Sequence, residues 1–242
     1  MLTCPSCTSG KIIKNGKTHY GKQNHKCKDC GRQFVDNNHH TVTQDRRQYI
    51  TALLKERISL RGICRSMGVS LNWLMSFAGT RWEQTPSDLG VKYDWLDTLT
   101  DEALQNVELQ IDEMWSFVDL KYNKKWIWVV YCPAIRQVLA VHIGGRSKRD
   151  CLAIIEQIPQ RLRRHCQFAT DHFESYYQLI PPTQHRPGKK YTYYIEGYFA
   201  GVRARTSRLV RRALSFSKKL ENHIAAIKYL FWQRNLECYP YI

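Results

Sequence analysis

The chain has 242 residues and a formal net charge of +16, from 37 Lys and Arg against 21 Asp and Glu. Its ordinary apolar content suits one large or two to three small domains. No apolar run approaches the roughly 18 residues of a membrane span, and no signal-peptide layout opens the chain. A cytoplasmic, reducing compartment is therefore expected, in which the nine cysteines are not disulfides. The charge is uneven. Residues 1–80 hold 13 Lys/Arg against 4 Asp/Glu, residues 81–111 hold 2 against 7, and residues 112–242 hold 22 against 10. Two basic blocks joined by an acidic connector point to two polyanion-binding units, with nucleic acid as the expected partner.

Residues 1–40 carry Cys4-Pro-Ser-Cys7 and Cys27-Lys-Asp-Cys30. Two CxxC turns at this spacing read as a four-cysteine zinc ribbon, each turn offering two thiolates to a tetrahedral ion. So short a segment lacks a core, so the metal supplies the folding energy. His25, His39 and His40 are expected to be exposed, because four cysteines complete the site. Lys11, Lys14, Lys17, Lys22, Lys26 and Lys28 make the ribbon a candidate contact for the DNA backbone.

Residues 41–80 read as a helix-turn-helix. Residues 45–55 have Tyr49, Ala52 and Leu53 at helical spacing, and Ser59 starts a second helix. Gly68-Val69-Ser70 forms the turn, with Ser70 capping a third helix over residues 71–78. In such a motif the last helix enters the major groove, and Asn72, Trp73 and Ser76 are its outward candidates. Asn72 is suited to an adenine edge. Residues 81–106 form an acidic connector with Pro86 and Gly90, in which Trp82, Trp95 and Leu96 predict packing rather than disorder.

Residues 105–118 read as a strand. Val107, Leu109, Ile111, Trp115 and Phe117 fall on one face, and Glu108, Gln110, Asp112 and Ser116 on the other, while Glu113 breaks the pattern. Strands over 125–132 and 137–143 follow, with a turn at Pro133-Ala134. A helix over 147–164 bends near Pro159. A short strand over 167–171 ends on Asp171, and residues 174–179 make a helical turn stopped by Pro181-Pro182. His185-Arg-Pro-Gly-Lys-Lys190 is a basic loop. Residues 194–235 read as one or two long helices, with Ser217 a candidate cap between them. Glu196, Arg203 and Arg211 share a face there, and Arg205, Arg208 and Arg212 add charge.

The chemistry turns on carboxylates. Magnesium takes oxygen ligands and keeps several waters, so two or three acids plus a substrate phosphate make a natural site. Two such ions stabilise both the attacking and the leaving oxygen of an in-line displacement. The order strand with Asp112, strand with Asp171, helix with Glu196 offers such a set. No convincing Ser/His/Asp or Cys/His arrangement accompanies it.

With these residues in view, the chain resembles the insertion-sequence-one family of transposases. The resemblance rests on the four cysteines, the helix-turn-helix, Asp112-Glu113-Met114-Trp115, Thr170-Asp171, Tyr191-Thr192 with Ile195-Glu196, Arg208-Leu209, and Ser215-Phe216-Ser217-Lys218. The 25 positions from Asp171 to Glu196 also fit it. It implies an α/β, RNase H-like catalytic domain over 107–242, with a helical C-terminal end. The zinc ribbon and helix-turn-helix precede that domain. It implies that Asp112, Asp171 and Glu196 hold two divalent metals, magnesium or manganese. It further implies a homodimer or higher oligomer on double-stranded DNA, cutting the 3′ strand ends of its element and joining them to target DNA. His185, Lys189, Lys190, Arg203, Arg205, Arg208 and Arg211 would face that DNA. Where the family usually has arginine directly after the glutamate and asparagine within the next turn, this chain has Gly197 and Gly201. A copy that binds DNA without cutting it is the competing reading.

Overall fold

The computed structural model describes residues 2–36, 42–210 and 215–237. His39, His40, Arg211 and Arg212 lie outside the described residues. Near the start, β1 (Ile12–Lys17), β2 (Gln23–Cys27) and β3 (Gln33–Val35) form an antiparallel sheet in that order. Among the described residues of this segment, the buried apolar ones are Cys4, Cys27 and Phe34, too few for a core. His25 is half-buried rather than exposed, because its ring packs on Phe34 with centroids 5.8 Å apart.

Three helices follow: α1 (Gln44–Leu53), α2 (Leu60–Met67) and α3 (Leu71–Trp82). Each begins on a hydroxyl that accepts a backbone N–H of the first turn: Thr43 from Arg46, Ser59 from Gly62, Ser70 from Trp73. Gly68 ends α2 at φ +58°, the left-handed geometry that suits glycine. Ile50, Ile63 and Leu74 meet in a small core. Tyr49, expected to face inward, is 66% exposed, and Ile50 takes the inward position. The third helix runs four residues past the expected end at Ala78. Its last turns are buried, Ala78 and Trp82 packing on Ala226 and Tyr229 near the far end of the chain.

The acidic stretch holds two short helices, α4 (Asp94–Thr98) and α5 (Asp101–Leu104). Its Leu89, Val91, Leu96 and Leu104 join the main core. That core surrounds β4 (Glu108–Phe117), β5 (Lys124–Cys132) and β6 (Gln137–Gly144), an antiparallel meander. The helices α6 (Lys148–Glu156) and α7 (Gln160–His165) lead to β7 (Gln167–Thr170), then α8 (Glu174–Leu179) and β8 (His185–Pro187). The sheet order is β6-β5-β4-β7-β8, with β4, β7 and β8 parallel. The predicted helix bend near Pro159 is a full break, because proline removes a backbone donor.

The sheet differs from the reading of one apolar and one polar face. Gln110 and Ser116 are buried, as are all residues from Ile127 to Cys132, so both faces of the central strands are covered. Parallel pairing brings helices over both sides of such a sheet, and the strands lose their alternation. The last two helices are α9 (Tyr193–Arg205) and α10 (Leu220–Glu237). The first carries Glu196 and Arg203 and ends at Arg205. Ser207–Leu209 is a single 3-10 turn. Ser217 forms an isolated parallel bridge with Val118 rather than a cap, and its Oγ accepts from Arg208 at 2.8 Å.

Two buried polar groups fix the end of the chain. Asn235 of α10 donates to the carbonyls of Leu89 and Val138 and accepts from Val138 N–H, tying helix, connector and β6 together. His223 is fully buried beside Ser217. Burial, helped by the charges of Arg208 and Lys125, lowers its pKa from 6.5 to about 4. The folded chain therefore holds this ring neutral. Its contribution to stability is complete above pH 6.5 and is lost as pH falls towards 4, because only the unfolded chain takes up the proton there. The drop in melting temperature between pH 7 and pH 4 is expected to shrink in His223→Gln. An unchanged drop would mean that other groups set the acid limit.

Candidate active site and DNA-facing surfaces

The site is built on the parallel pair at the centre of the sheet. Ile111 of β4 pairs with Thr170 of β7, so the next residues are Asp112 on β4 and Asp171 directly after the end of β7. Asp171 Oδ1 accepts from Phe173 N–H at 2.9 Å, which turns the chain directly after the strand. Glu196 lies in the first turn of α9, exposed, with Thr192 Oγ1 3.4 Å from its Oε1.

Gln110 sets where that helix starts. Its Oε1 accepts from Ile195 N–H at 2.8 Å, and its amide donates to Tyr191 C=O at 2.6 Å and Glu108 Oε1 at 2.9 Å. All of this happens in a fully buried position two residues before Asp112. A buried amide with its groups satisfied is a rigid connector, since breaking any one bond leaves a polar atom unpaired. The sequence pattern had marked Gln110 only as polar.

The acids feel one another. Asp112 has its pKa pushed up to about 7, chiefly by burial, with the charges of Glu113, Asp171 and Glu196 adding to it. Glu113 N–H, donating to Asp112 Oδ1 at 2.7 Å, opposes the rise. Carboxylates brought near one another in this way, one of them partly withdrawn from water, are a setting that a hard divalent cation relieves. Their oxygens are not all within 4.8 Å of one another. Among the described residues that closeness belongs to the sulfurs of Cys4, Cys7, Cys27 and Cys30. Cys4 and Cys30 sulfurs are 3.5 Å apart, and Cys7 and Cys27 sulfurs 3.6 Å. A zinc tetrahedron with 2.3 Å bonds has edges of about 3.8 Å, so the donor set fits zinc.

The basic candidates fall into three groups. Lys14 and Lys17 are exposed on β1, and Asn72 and Ser76 are exposed at the start of α3. Trp73 is half-buried and stacked on Phe77 at 5.0 Å, so only part of it faces outward. Lys189 and Lys190 are exposed just ahead of α9, with Lys190 Nζ over the Tyr191 ring. His185 sits inside β8, its Nε2 2.8 Å from Thr170 Oγ1, and burial lowers its pKa. It therefore braces the strand that leads to Asp171.

Arg203 stacks near Phe199, and Arg205 pairs with Glu237 at 2.8 Å. Arg208 is turned towards Ser217 and the Trp82 ring, and burial lowers its pKa to about 10. Arg208 is thus a brace between α3 and the segment around Ser217 more than a surface cation. Sequence reading missed Arg146, whose terminal nitrogen lies 3.8 Å from Asp171 Oδ2. It stands in a loop after β6, where periodicity carries no signal.

An α/β chain with acids gathered on its central parallel strands, and with lysines beside them, has the make-up of an enzyme acting on nucleic acid. The profile of the IS1 transposases matches residues 106–235, and the chain belongs to that family. It is 31% identical over 115 residues to the insertion element iso-IS1n protein InsB of Shigella dysenteriae, covering 47% of this chain and 86% of that protein. The insertion element IS1 protein InsB of Shigella flexneri is 30% identical over 116 residues, with the same shares. An IS1 InsB of Escherichia coli K12 is 28% identical over 114 residues, covering 47% of this chain and 67% of its own length. The family match begins at residue 106, so the cysteine cluster and the three helices lie ahead of it. A transposase role, and with it DNA binding, follows from the family. Among the described residues no helix is long and apolar enough to cross a membrane.

Proposed function

We propose that the chain is a DDE-type transposase with an RNase H-like catalytic domain over 107–242. In this reading it binds the ends of its insertion element, cuts the 3′ strand ends and joins them to target DNA. The observation that supports the reading is the placement of Asp112 and Asp171 beside a paired position of β4 and β7, with Glu196 on the helix bonded to Gln110. Glu196, on a helix pinned by Gln110, is near enough to raise the pKa of Asp112. These three would hold two divalent ions, magnesium or manganese, whose chemistry is to polarise phosphate oxygens and ready a hydroxyl for in-line attack. The chain's own share is positional. Gln110 keeps Glu196 in register with Asp112, and His185 holds Thr170 beside Asp171. Lys189 and Lys190 bring a phosphate backbone towards Glu196. Water cuts first, and the freed 3′-hydroxyl then attacks the target phosphodiester. Joining two ends calls for a homodimer or higher oligomer on the DNA.

Residues 1–40 would act as a zinc ribbon, 41–80 as a helix-turn-helix, and 81–106 as the connector. Support comes from the sulfur spacing and from Asn72 and Ser76 standing exposed at the start of α3. The packing of Ala78 and Trp82 on α10 would carry end recognition rigidly to the catalytic domain. Asn72→Ala is expected to narrow the preference for the element end over random DNA by about 1–3 kcal/mol, the worth of a bidentate base contact. Lys14→Ala or Lys17→Ala should weaken both DNAs alike and flatten the salt dependence. If Asn72→Ala leaves the preference unchanged, another element does the reading. The whole proposal is tested by incubating the protein with DNA from beside its gene and magnesium. Cleavage at a defined end and joining to a second DNA are expected. End binding without cleavage would favour the competing reading, and cleavage without joining would indicate a nuclease.

A further inference from the structure

Glu113 lies beside Asp112 but on the opposite side of β4, with its side chain 1% exposed. A buried carboxylate without partners is strongly unfavourable, and this one has two. Arg146 Nε donates to its Oε1 at 2.6 Å, and Tyr176 O–H donates to its Oε2 at 3.0 Å. The Arg146 guanidinium also stands 4.6 Å from the ring centroids of both Trp126 and Phe173. Its far nitrogen is 3.8 Å from Asp171 Oδ2, yet the side chain remains 37% exposed. An arginine serving only to neutralise Glu113 has no need to reach a second acid or to stay open to solvent.

Stacking and the buried ion pair have already ordered this side chain, so little rotamer freedom is left to lose when a ligand arrives. A guanidinium with a solvent-facing edge matches the geometry of phosphate oxygens. Lys148 and Arg149, both exposed, extend the positive charge into the first turn of α6. We infer that Arg146 is a preorganised contact for one backbone phosphate of the DNA strand entering beside Asp171. Glu113, Tyr176, Trp126 and Phe173 are its holders. The inference rests on the proposal that Asp112, Asp171 and Glu196 are the reacting centre.

The test uses the full chain carrying Asp112→Asn, so that DNA is bound and not consumed, with chelator present. The probes are duplexes of the DNA flanking the gene, each with one phosphate replaced by a neutral methylphosphonate. With Arg146 in place, neutralising one phosphate near the cleavage position is expected to weaken binding five- to tenfold. Arg146→Gln should lose affinity for the unmodified duplex by the same factor and become indifferent to that one substitution. Arg146→Lys should keep part of the sensitivity, and Glu113→Gln should reduce it without removing it. The inference is overturned if Arg146→Gln or Arg146→Lys responds to every methylphosphonate as the parent does. Should Arg146→Gln fail to fold, the lysine variant gives the answer. Failure here is separable from failure of the triad, because Glu196→Gln reports on cleavage and these measurements involve none.

Discussion

Glu196→Gln is expected to abolish end cleavage and strand transfer while leaving fold and end binding intact. The amide is a poorer ligand for a hard cation and carries no charge, so a loss of at least about a thousandfold is expected where two ions share three acids. Helix α9 should survive the change. Glu196 is exposed, and the start of the helix is fixed by Gln110 through Ile195 N–H rather than by the glutamate. Asp112→Asn and Asp171→Asn should behave alike in catalysis. Asp112→Asn should in addition raise stability slightly at neutral pH, because it removes a buried acid whose pKa is already pushed to about 7. Magnesium or manganese should be required, and calcium should bind without turnover. Strand transfer by Glu196→Gln at more than a few per cent of the parent rate would sink the assignment. If the parent protein binds ends and never cuts them, attention moves to Gly197 and Gly201. A Cβ at Gly197 would meet nothing within 4 Å, so Gly197→Arg is the variant that restores the polar position.

The second large effect concerns the cysteines. Cys27→Ser should release zinc and unfold the first ~35 residues, since a metal supplies on the order of 10 kcal/mol to such small domains. The segment has little else to hold it: three short strands, and Cys4, Cys27 and Phe34 as its buried apolar residues among those described. The catalytic domain should stay folded, because its core runs from Leu89 to Phe231 and includes no residue of the ribbon. Metal analysis of the purified parent should give one zinc per chain. Its absence, or full zinc retention by Cys27→Ser, would remove the ribbon from the account. Removing zinc should also cost DNA affinity through Lys14 and Lys17, most visibly at low salt.

Much was legible in the sequence where the signal is local. Two CxxC turns 20 residues apart state their own chemistry, because tetrahedral coordination needs only those four sulfurs. The caps Ser59 and Ser70 and the left-handed Gly68 mark helix ends by hydrogen bonds a few residues long, and the three helices begin and turn where those residues stand. The meander was legible because antiparallel neighbours are joined by short turns. The order of the three acids, joined to the family's surrounding motifs, pointed to the family.

Only the tertiary structure decided what surrounds those acids. Gln110 is a polar letter in a strand until α9 is laid over it, and Arg146 is a loop residue until Trp126, Phe173 and Glu113 close around it. Gln110 and Ser116 on the supposed polar face of β4 proved buried, since β7 pairs in parallel and helices cover both sides. Alternation in sequence reports one solvated face and cannot register a second layer. Of the one or two helices expected over 194–235 there are two; the first ends at Arg205, and beyond it Ser217 bridges to Val118 and Arg208 turns inward against Trp82. Propensity sees only neighbours along the chain. Contacts between residues a hundred positions apart outweigh it by burying side chains whose partners the local sequence does not name.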